Sequence, residues 1–130
     1  MPLIGGMLKN AAKMTKTAGI AVGRAYASRK LASNLEKSGI VRPVDSAAHH
    51  VVAFGAAKAA PARDILERYG IDINSADNGV FLGSQQHGGL HTGTYYDEVN
   101  ARLSGVNSRQ EVLEVLKDIS TGLQNGTFPK

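Results

Sequence analysis

Two stretches of the chain carry apolar residues at helical spacing between clear start and stop signals. The first begins with Pro61 in a first helical turn and stops at Gly70, and its apolar face is formed by Ala62, Ile65, Leu66 and Tyr69. The second stretch begins with a capping box at Ser108 and Glu111. Its apolar stripe consists of Val112, Val115, Leu116, Ile119 and Leu123. We predict a helix in each stretch and expect residues 122–130 to fray from the second.

Two short runs have the composition of β-strands. His50–Phe54 ends at Gly55, and Gly79–Leu82 follows a segment, residues 72–79, that is dense in turn-forming residues. Residues 83–89 are expected to form a loop, and a further helix is expected to begin near His91–Thr92 with Tyr96, Val99 and Leu103 on one face. The predicted order is a basic helix, a strand, a helix, a strand and two helices, which is an α+β arrangement.

The N-terminal region is predicted to lie outside the core. Residues 7–38 are rich in Ala, Lys, Thr and Ser and have no clean apolar stripe, so they predict an appended helix with weak points at Gly19 and Gly23. Ser38–Gly39 ends this helix, and Arg42–Pro43 prevents its continuation. We therefore predict a basic helical arm or linker over 1–43 and a folded domain over 44–130.

Charge separates the same two regions. Residues 1–43 contain eight Lys and Arg and one acidic residue, whereas residues 44–130 contain seven basic and ten acidic residues. A basic arm on a mildly acidic body suits a polyanion such as nucleic acid, or an acidic binding protein. A solvated linker helix explains the charge equally well.

Composition and length exclude several classes of protein. The chain has 130 residues, room for one domain, and its lack of cysteine excludes disulfides and thiolate zinc sites. The lack of tryptophan argues against base stacking as the main activity. No stretch reaches the roughly 18 apolar residues that a membrane span needs, and residues 1–8 do not resemble a signal peptide.

All four histidines fall in two clusters, His49–His50 and His87–His91. Imidazole is a common metal ligand and the usual general base near neutral pH. Adjacent strand residues point to opposite faces, so His49 and His50 cannot readily bind one ion, whereas His87 and His91 share a face if a helix begins early enough. One member of the first pair would therefore join His87 and His91 as a ligand, and the other would act as a base.

Each of these motifs alone also has a plainer interpretation. Asn78 could orient the base or pin its loop, but Asp77–Asn78–Gly79 is most often only a turn. The second histidine pair could be a structural metal clip or two solvated side chains, and it lacks the internal glutamate of the zinc-protease motif. Tyr95–Tyr96 is better explained by helix packing than by chemistry.

Four motifs in order along the chain resemble those of a known nuclease family. They are Ala48–Val52, Ala60–Leu66, Gly70–Leu82 and His87–Tyr95. Together they resemble the AHH family of the HNH/endonuclease VII superfamily of ββα-metal nucleases, over about residues 47–103; Gly83 departs from the pattern, since proline is expected there. The resemblance implies an α+β fold: a small ββα-metal core with additional N- and C-terminal helices.

The resemblance also implies roles for individual residues. His49, His87 and His91 would hold one divalent metal ion, His50 would be the general base, and Asn78 would support the base or its loop. Zn²⁺ or Ni²⁺ would be favoured by affinity, and Mg²⁺ or Mn²⁺ could be the working ion. Candidate contacts to substrate phosphates are Lys58, Arg63 and Arg102.

The function expected from this resemblance is a metal-dependent endonuclease that hydrolyses phosphodiester bonds, DNA in preference to RNA. Such domains are the C-terminal toxin modules of bacterial polymorphic toxins, including Rhs-type and type VI secretion effectors. The expected protein is therefore a secreted or delivered antibacterial effector that acts in the target bacterial cytoplasm and has a cognate immunity protein. The alternatives are a non-catalytic nucleic-acid- or protein-binding module with a structural histidine metal site, and a membrane-surface role for the basic arm.

Overall fold

The structure is a computed structural model, and it describes residues 16–130. This part of the chain contains two antiparallel strands and five helices. The elements are α1 (Lys16–Lys37), β1 (Ser46–His50), α2 (Ala60–Arg68), β2 (Gly79–Gly83), the one-turn α3 (Ser84–His87), α4 (Gly93–Leu103) and α5 (Arg109–Asn125). Short 3-10 turns at Ala57–Ala59 and Ala76–Asn78 precede α2 and β2. The α+β class and the order of the main elements are confirmed, with α3 in place of part of the expected loop.

The first strand lies earlier in the chain than its composition predicted. It pairs with β2 in a register that runs from Ser46 opposite Gly83 to His50 opposite Gly79, whereas His50–Phe54 was the expected strand. The valines beyond His50 are instead diverted from the ladder, because the side chain of Asn78 bonds to both backbone groups of Val52. Their β propensity reflects burial in the core rather than strand pairing.

The main core lies between β2, α2, α4 and α5. Its buried side chains include Leu66, Leu82, Leu90, Tyr95, Val99, Leu103, Val112, Leu116, Ile119 and Leu123. Ser108 caps α5 as predicted, since its hydroxyl accepts a hydrogen bond from the Glu111 N–H. The prediction that the C-terminus frays is wrong: Gly126 ends α5 at φ +74°, and Phe128 turns back into the core against Tyr95.

The C-terminal half of α1 packs against the sheet. Ala27, Leu31 and Leu35 are fully buried, and the two leucines form a second apolar cluster with Phe81 of β2. The contact is close enough that a Cβ at Gly79 would lie 2.6 Å from Leu31 Cδ1. The expectation of an appended helix is therefore wrong for this half, because three apolar residues spaced by four suffice to form a buried stripe.

The described part of α1 runs through Gly19 and Gly23 without a break, and residues 7–15 of the predicted helix lie outside the described residues. Its end is as predicted, since Gly39 adopts φ +99°. Whether residues 1–43 form a unit of their own stays a prediction. Over residues 16–130, no helix is both long and apolar enough to cross a membrane.

The two histidines of the second cluster do not share a helix. His87 ends α3, and α4 begins only at Gly93, where the Thr92 side chain accepts a hydrogen bond from the Tyr95 N–H. Gly89 between them adopts φ +75°, a conformation that glycine takes without strain. The expected helix start near His91–Thr92 is confirmed to within one residue, since Thr92 caps α4 and Gly93 begins it. The condition under which His87 and His91 would share a helix face is not met, and the face that packs into the core contains Tyr95 rather than Tyr96.

We predict that Leu31→Ala lowers the free energy of unfolding by about 2–5 kcal/mol, because it leaves a cavity between α1 and β2. Lys30→Ala on the exposed face of the same helix is the matched control and should change stability by less than about 0.5 kcal/mol. Chemical denaturation of both variants measures the difference. Equal stabilities would contradict the packing of α1 as part of the core.

Candidate metal and catalytic site

All four histidines line one open cavity of about 790 Å³. Its walls are α1, the end of β1, the loop after β1, and the α3–α4 connection. His49 and His50 enter from the end of β1, whereas His87 and His91 enter from either side of Gly89. The fold thus brings together two clusters that are nearly 40 residues apart in the sequence.

Three of the imidazoles gather on one side of the cavity. The ring centre of His49 lies 5.3 Å from that of His87 and 6.1 Å from that of His91, and the latter two are 6.0 Å apart. His50 is absent from this group and packs instead near Phe54, at 6.0 Å between ring centres. Three imidazoles are thus neighbours and His50 is separate from them, while the roles of ligand and base stay predictions.

The buried hydroxyl of Tyr95 fixes the orientation of His49. It donates a hydrogen bond to the Val51 carbonyl and lies 3.1 Å from His49 Nε2. Since its single proton goes to the carbonyl, the hydroxyl oxygen accepts from His49 Nε2–H. The lone pair of a neutral His49 is therefore on Nδ1. Burial raises the pKa of Tyr95, which keeps this hydroxyl protonated.

The surroundings of His49 and His91 favour the neutral form of both side chains. Burial, followed by the proximity of His87, His91 and His50, lowers the pKa of His49 to about 3. Burial also lowers the pKa of His91, with smaller contributions from His87 and Arg24. Neutral imidazoles present free lone pairs, which is the form in which histidine binds metal ions.

The three imidazoles lie slightly farther apart than three imidazoles that bind a single divalent ion. As the side chains stand, no three His, Cys, Asp or Glu donors within residues 16–130 form a metal-binding group. Imidazoles bound to one ion at ~2.0–2.1 Å have ring centres roughly 5 Å apart, compared with 5.3–6.1 Å here. Rotation of the half-buried His87 and the exposed His91 can close a gap of about 1 Å.

His50 has a different partner, Asn74, which the sequence analysis missed. His50 Nε2 lies 2.8 Å from Asn74 Oδ1, and because this oxygen only accepts, Nε2 is the protonated nitrogen. Nδ1 is then the basic atom of His50. Burial lowers the pKa of His50, while the hydrogen bond to Asn74 opposes that effect. Asn74 is 24 residues from His50, so no local spacing could have revealed the pair.

Asn78 pins the loop and does not contact His50. It is fully buried: its Oδ1 accepts from Val52 N–H at 2.8 Å, and its Nδ2 donates to the carbonyls of Val52 and Ile73. The Val51 N–H also donates to the Asn78 carbonyl. Of the two roles expected for Asn78, these bonds favour support of the loop.

The three predicted phosphate contacts do not line the cavity. Arg63 braces the loop after β1 by donating to the carbonyls of Ala53 and Ala56. Arg102 pairs with Glu98 at 2.8 Å and stacks over Phe128. Lys58 lies beside Gly93 at the start of α4. The cations that do line the cavity are Arg24, Arg29 and Arg42.

Comparison with protein-family models gives a match over residues 31–125, which is most of the chain. The matching family is AHH, described as a nuclease family of the HNH/ENDO VII superfamily with conserved AHH. The match begins in α1 and includes every element after it, and it confirms the resemblance seen in the motifs. No curated protein and no solved structure matches the chain significantly.

Proposed function

The chain belongs to the AHH nuclease family of the HNH/ENDO VII superfamily, and from this premise we propose that it is a metal-dependent endonuclease. The observation that supports the proposal is the division of the four histidines into a group of three and a separate His50 that is hydrogen-bonded to Asn74. A metal ligand set and a general base are the two components that metal-assisted phosphodiester hydrolysis needs.

In the proposed reaction, His50 Nδ1 takes a proton from a water molecule as its oxygen bonds to phosphorus. The bond from phosphorus to the 3′-oxygen breaks, and that oxygen leaves with the pair of electrons. His49 through Nδ1, together with His87 and His91, would hold the ion. A divalent ion in such a site neutralises charge on the phosphate and on the leaving oxygen. Tyr95 keeps His49 in the required tautomer, and Asn74 does the same for His50.

Nucleic acid is the substrate class of the family, and we propose that DNA is preferred to RNA. We further propose that the protein acts as an antibacterial toxin domain in the cytoplasm of a target bacterium. Because such an activity would harm the producing cell, a cognate immunity protein is the expected partner, with an acidic surface where it meets the arginines of the cavity.

A structural role for the metal site is the competing function, and the packing of the core argues against it. The helices are joined to one another and to the sheet by two clusters of buried apolar side chains. Removal of an ion from the cavity would therefore leave the hydrophobic contacts that hold the helices together. A structural zinc site, in contrast, contributes directly to folding.

We predict that the purified protein nicks supercoiled plasmid in the presence of Mg²⁺, Mn²⁺, Zn²⁺ or Ni²⁺, and that EDTA abolishes the cleavage. His50→Ala should lower the rate by at least about 100-fold, because it removes the base, while circular dichroism and metal binding are retained. Total RNA as a parallel substrate determines the nucleic-acid preference. His91→Ala is the comparison variant and should weaken metal binding. Undiminished cleavage by His50→Ala would overturn the assignment of the base.

We predict that Asn74→Leu lowers kcat about 10- to 100-fold with little change in KM, because His50 loses the acceptor that orients it. Asn74→Asp retains an acceptor at this position and should restore most of kcat. Asn78→Ala is the contrasting variant: it should lower the free energy of unfolding by about 3 kcal/mol, because buried backbone groups lose their partners. Steady-state kinetics and denaturation separate the two roles, and a kcat for Asn74→Leu equal to wild type would rule out positioning by Asn74.

A further inference from the structure

One face of α1 forms a wall of the cavity opposite the histidines. The residues of this face that line it are Arg24, Ser28, Arg29, Ala32, Ser33 and Glu36. Between the two arginines and Glu36 the side chains are short, so a polymer backbone can approach the helix closely. The adjacent face of α1 docks on the sheet through Leu31 and Leu35, so the helix that carries Arg24 and Arg29 has a fixed position relative to β1.

The arginines of the cavity reach both of its sides. Gly55, in the loop that follows the histidine strand, faces Arg24 across the cavity: a Cβ there would lie 3.7 Å from Arg24 Nε. Arg42 lies over Phe81 at 5.6 Å from the ring centre, and its Nε and Nη2 donate to the Ser46 carbonyl at the start of β1. These contacts leave further N–H donors of each guanidinium available, since each guanidinium has five.

The charge of these arginines is not balanced by carboxylates. Among the side chains that the structure describes, the only ion pair is that of Arg102 with Glu98, which lies outside the cavity. Within the described lining, Glu36 is the single acidic residue, against three arginines. The cavity is therefore suited to a polyanion.

We propose that Arg24, Arg29 and Arg42 bind the phosphodiester backbone of the nucleic acid on both sides of the bond to be cut. The assignment rests on the proposed function, and it replaces Lys58, Arg63 and Arg102 as the phosphate contacts. Arg24 and Arg29 are separated by roughly 7.5 Å along the helix, and successive phosphates of one strand by about 3.4 Å of duplex axis. This spacing allows the two guanidiniums to bind different phosphates of one strand. Residues 24–42 of the basic region are, in this account, part of the substrate site.

Salt dependence of binding tests the proposal. Fluorescence anisotropy measures the affinity for a labelled DNA duplex and for an RNA strand of the same sequence, with Mg²⁺, at several NaCl concentrations. All proteins carry His50→Ala to prevent cleavage. Because each phosphate contact contributes ~0.9 to the slope of log K against log salt for duplex DNA, Arg24→Gln with Arg29→Gln should lower that slope by about 2, and Arg42→Gln by about 1.

The matched control is the double variant Arg68→Gln with Arg109→Gln. Both residues are exposed, and they lie on α2 and α5 outside the cavity. Their substitution removes the same two positive charges as Arg24→Gln with Arg29→Gln. The control should keep the wild-type slope within about 0.5. Equal slopes for the two double variants, or no binding by the parent protein, would overturn the proposal. A loss on RNA alone or on DNA alone identifies which backbone the arginines bind.

Cleavage kinetics separate this proposal from the proposed function. In the chain that retains His50, Arg24→Gln with Arg29→Gln should raise KM at least about tenfold, because two charged contacts are lost, with a smaller effect on kcat. Cleavage with an unchanged KM would contradict the arginine contacts and leave the nuclease activity standing. Arginine-dependent binding without any cleavage would contradict the nuclease activity and would still support the binding of nucleic acid by the arginines of the cavity.

Discussion

The buried side chain of Asn78 forms the link on which the geometry of the site depends. Its amide bonds to both backbone groups of Val52 and to the Ile73 carbonyl, so it joins the end of β1 to the turn that precedes β2. The same turn carries Asn74, which reaches His50. A buried amide has no water to replace these partners, so the loss of Asn78 would release both segments. The position of the base therefore depends on bonds made by a residue that does not touch it.

The electrostatics of the site follow from burial and from the lack of nearby carboxylates. His49 is buried and surrounded by other imidazoles, so its pKa falls to about 3 and its lone pair is free at neutral pH. Within the described lining of the cavity, Glu36 is the only acidic residue, and it lies on α1. The positive charge comes instead from arginines, which suits the capture of an anionic backbone. Burial thus keeps the lone pairs of His49 and His91 free, and the substrate brings the negative charge.

The sequence predicted the elements with strong local signals and missed those decided by tertiary contacts. The capped helix α5 and the Pro61 helix have clear local signals and were predicted closely. The strand β1 ends at His50, before the run that its composition predicts, because Val52 bonds to the side chain of Asn78, 26 residues away, instead of joining the ladder. Burial of Leu31 and Leu35 depends on Gly79, whose lack of a side chain leaves room for them. Because α1 consists largely of small residues, its short apolar stripe of Ala27, Leu31 and Leu35 was not recognised in the sequence.

In the candidate site, too, the residues with a local sequence signal could be predicted, and those brought there by tertiary contacts could not. The histidine clusters were visible as spacing, and their grouping around one cavity agrees with that expectation. Asn74 and the arginines of α1 were not visible as site residues, because only the fold brings them to the cavity. Arg63 and Arg102 had suitable chemistry, but their guanidiniums bond to backbone carbonyls and to Glu98. An excess of basic residues in a sequence indicates a polyanionic partner. It does not indicate which Lys or Arg side chains contact that partner.

The most direct test of the account is a crystal structure of the protein grown with Mn²⁺ or Zn²⁺, with the ion located by its anomalous scattering. The account predicts one ion in the cavity, bound by His49 through Nδ1 and by His87 and His91 at ~2.0–2.3 Å, with His50 still hydrogen-bonded to Asn74. An ion bound by His50, or an ion bound only outside the cavity, would contradict it.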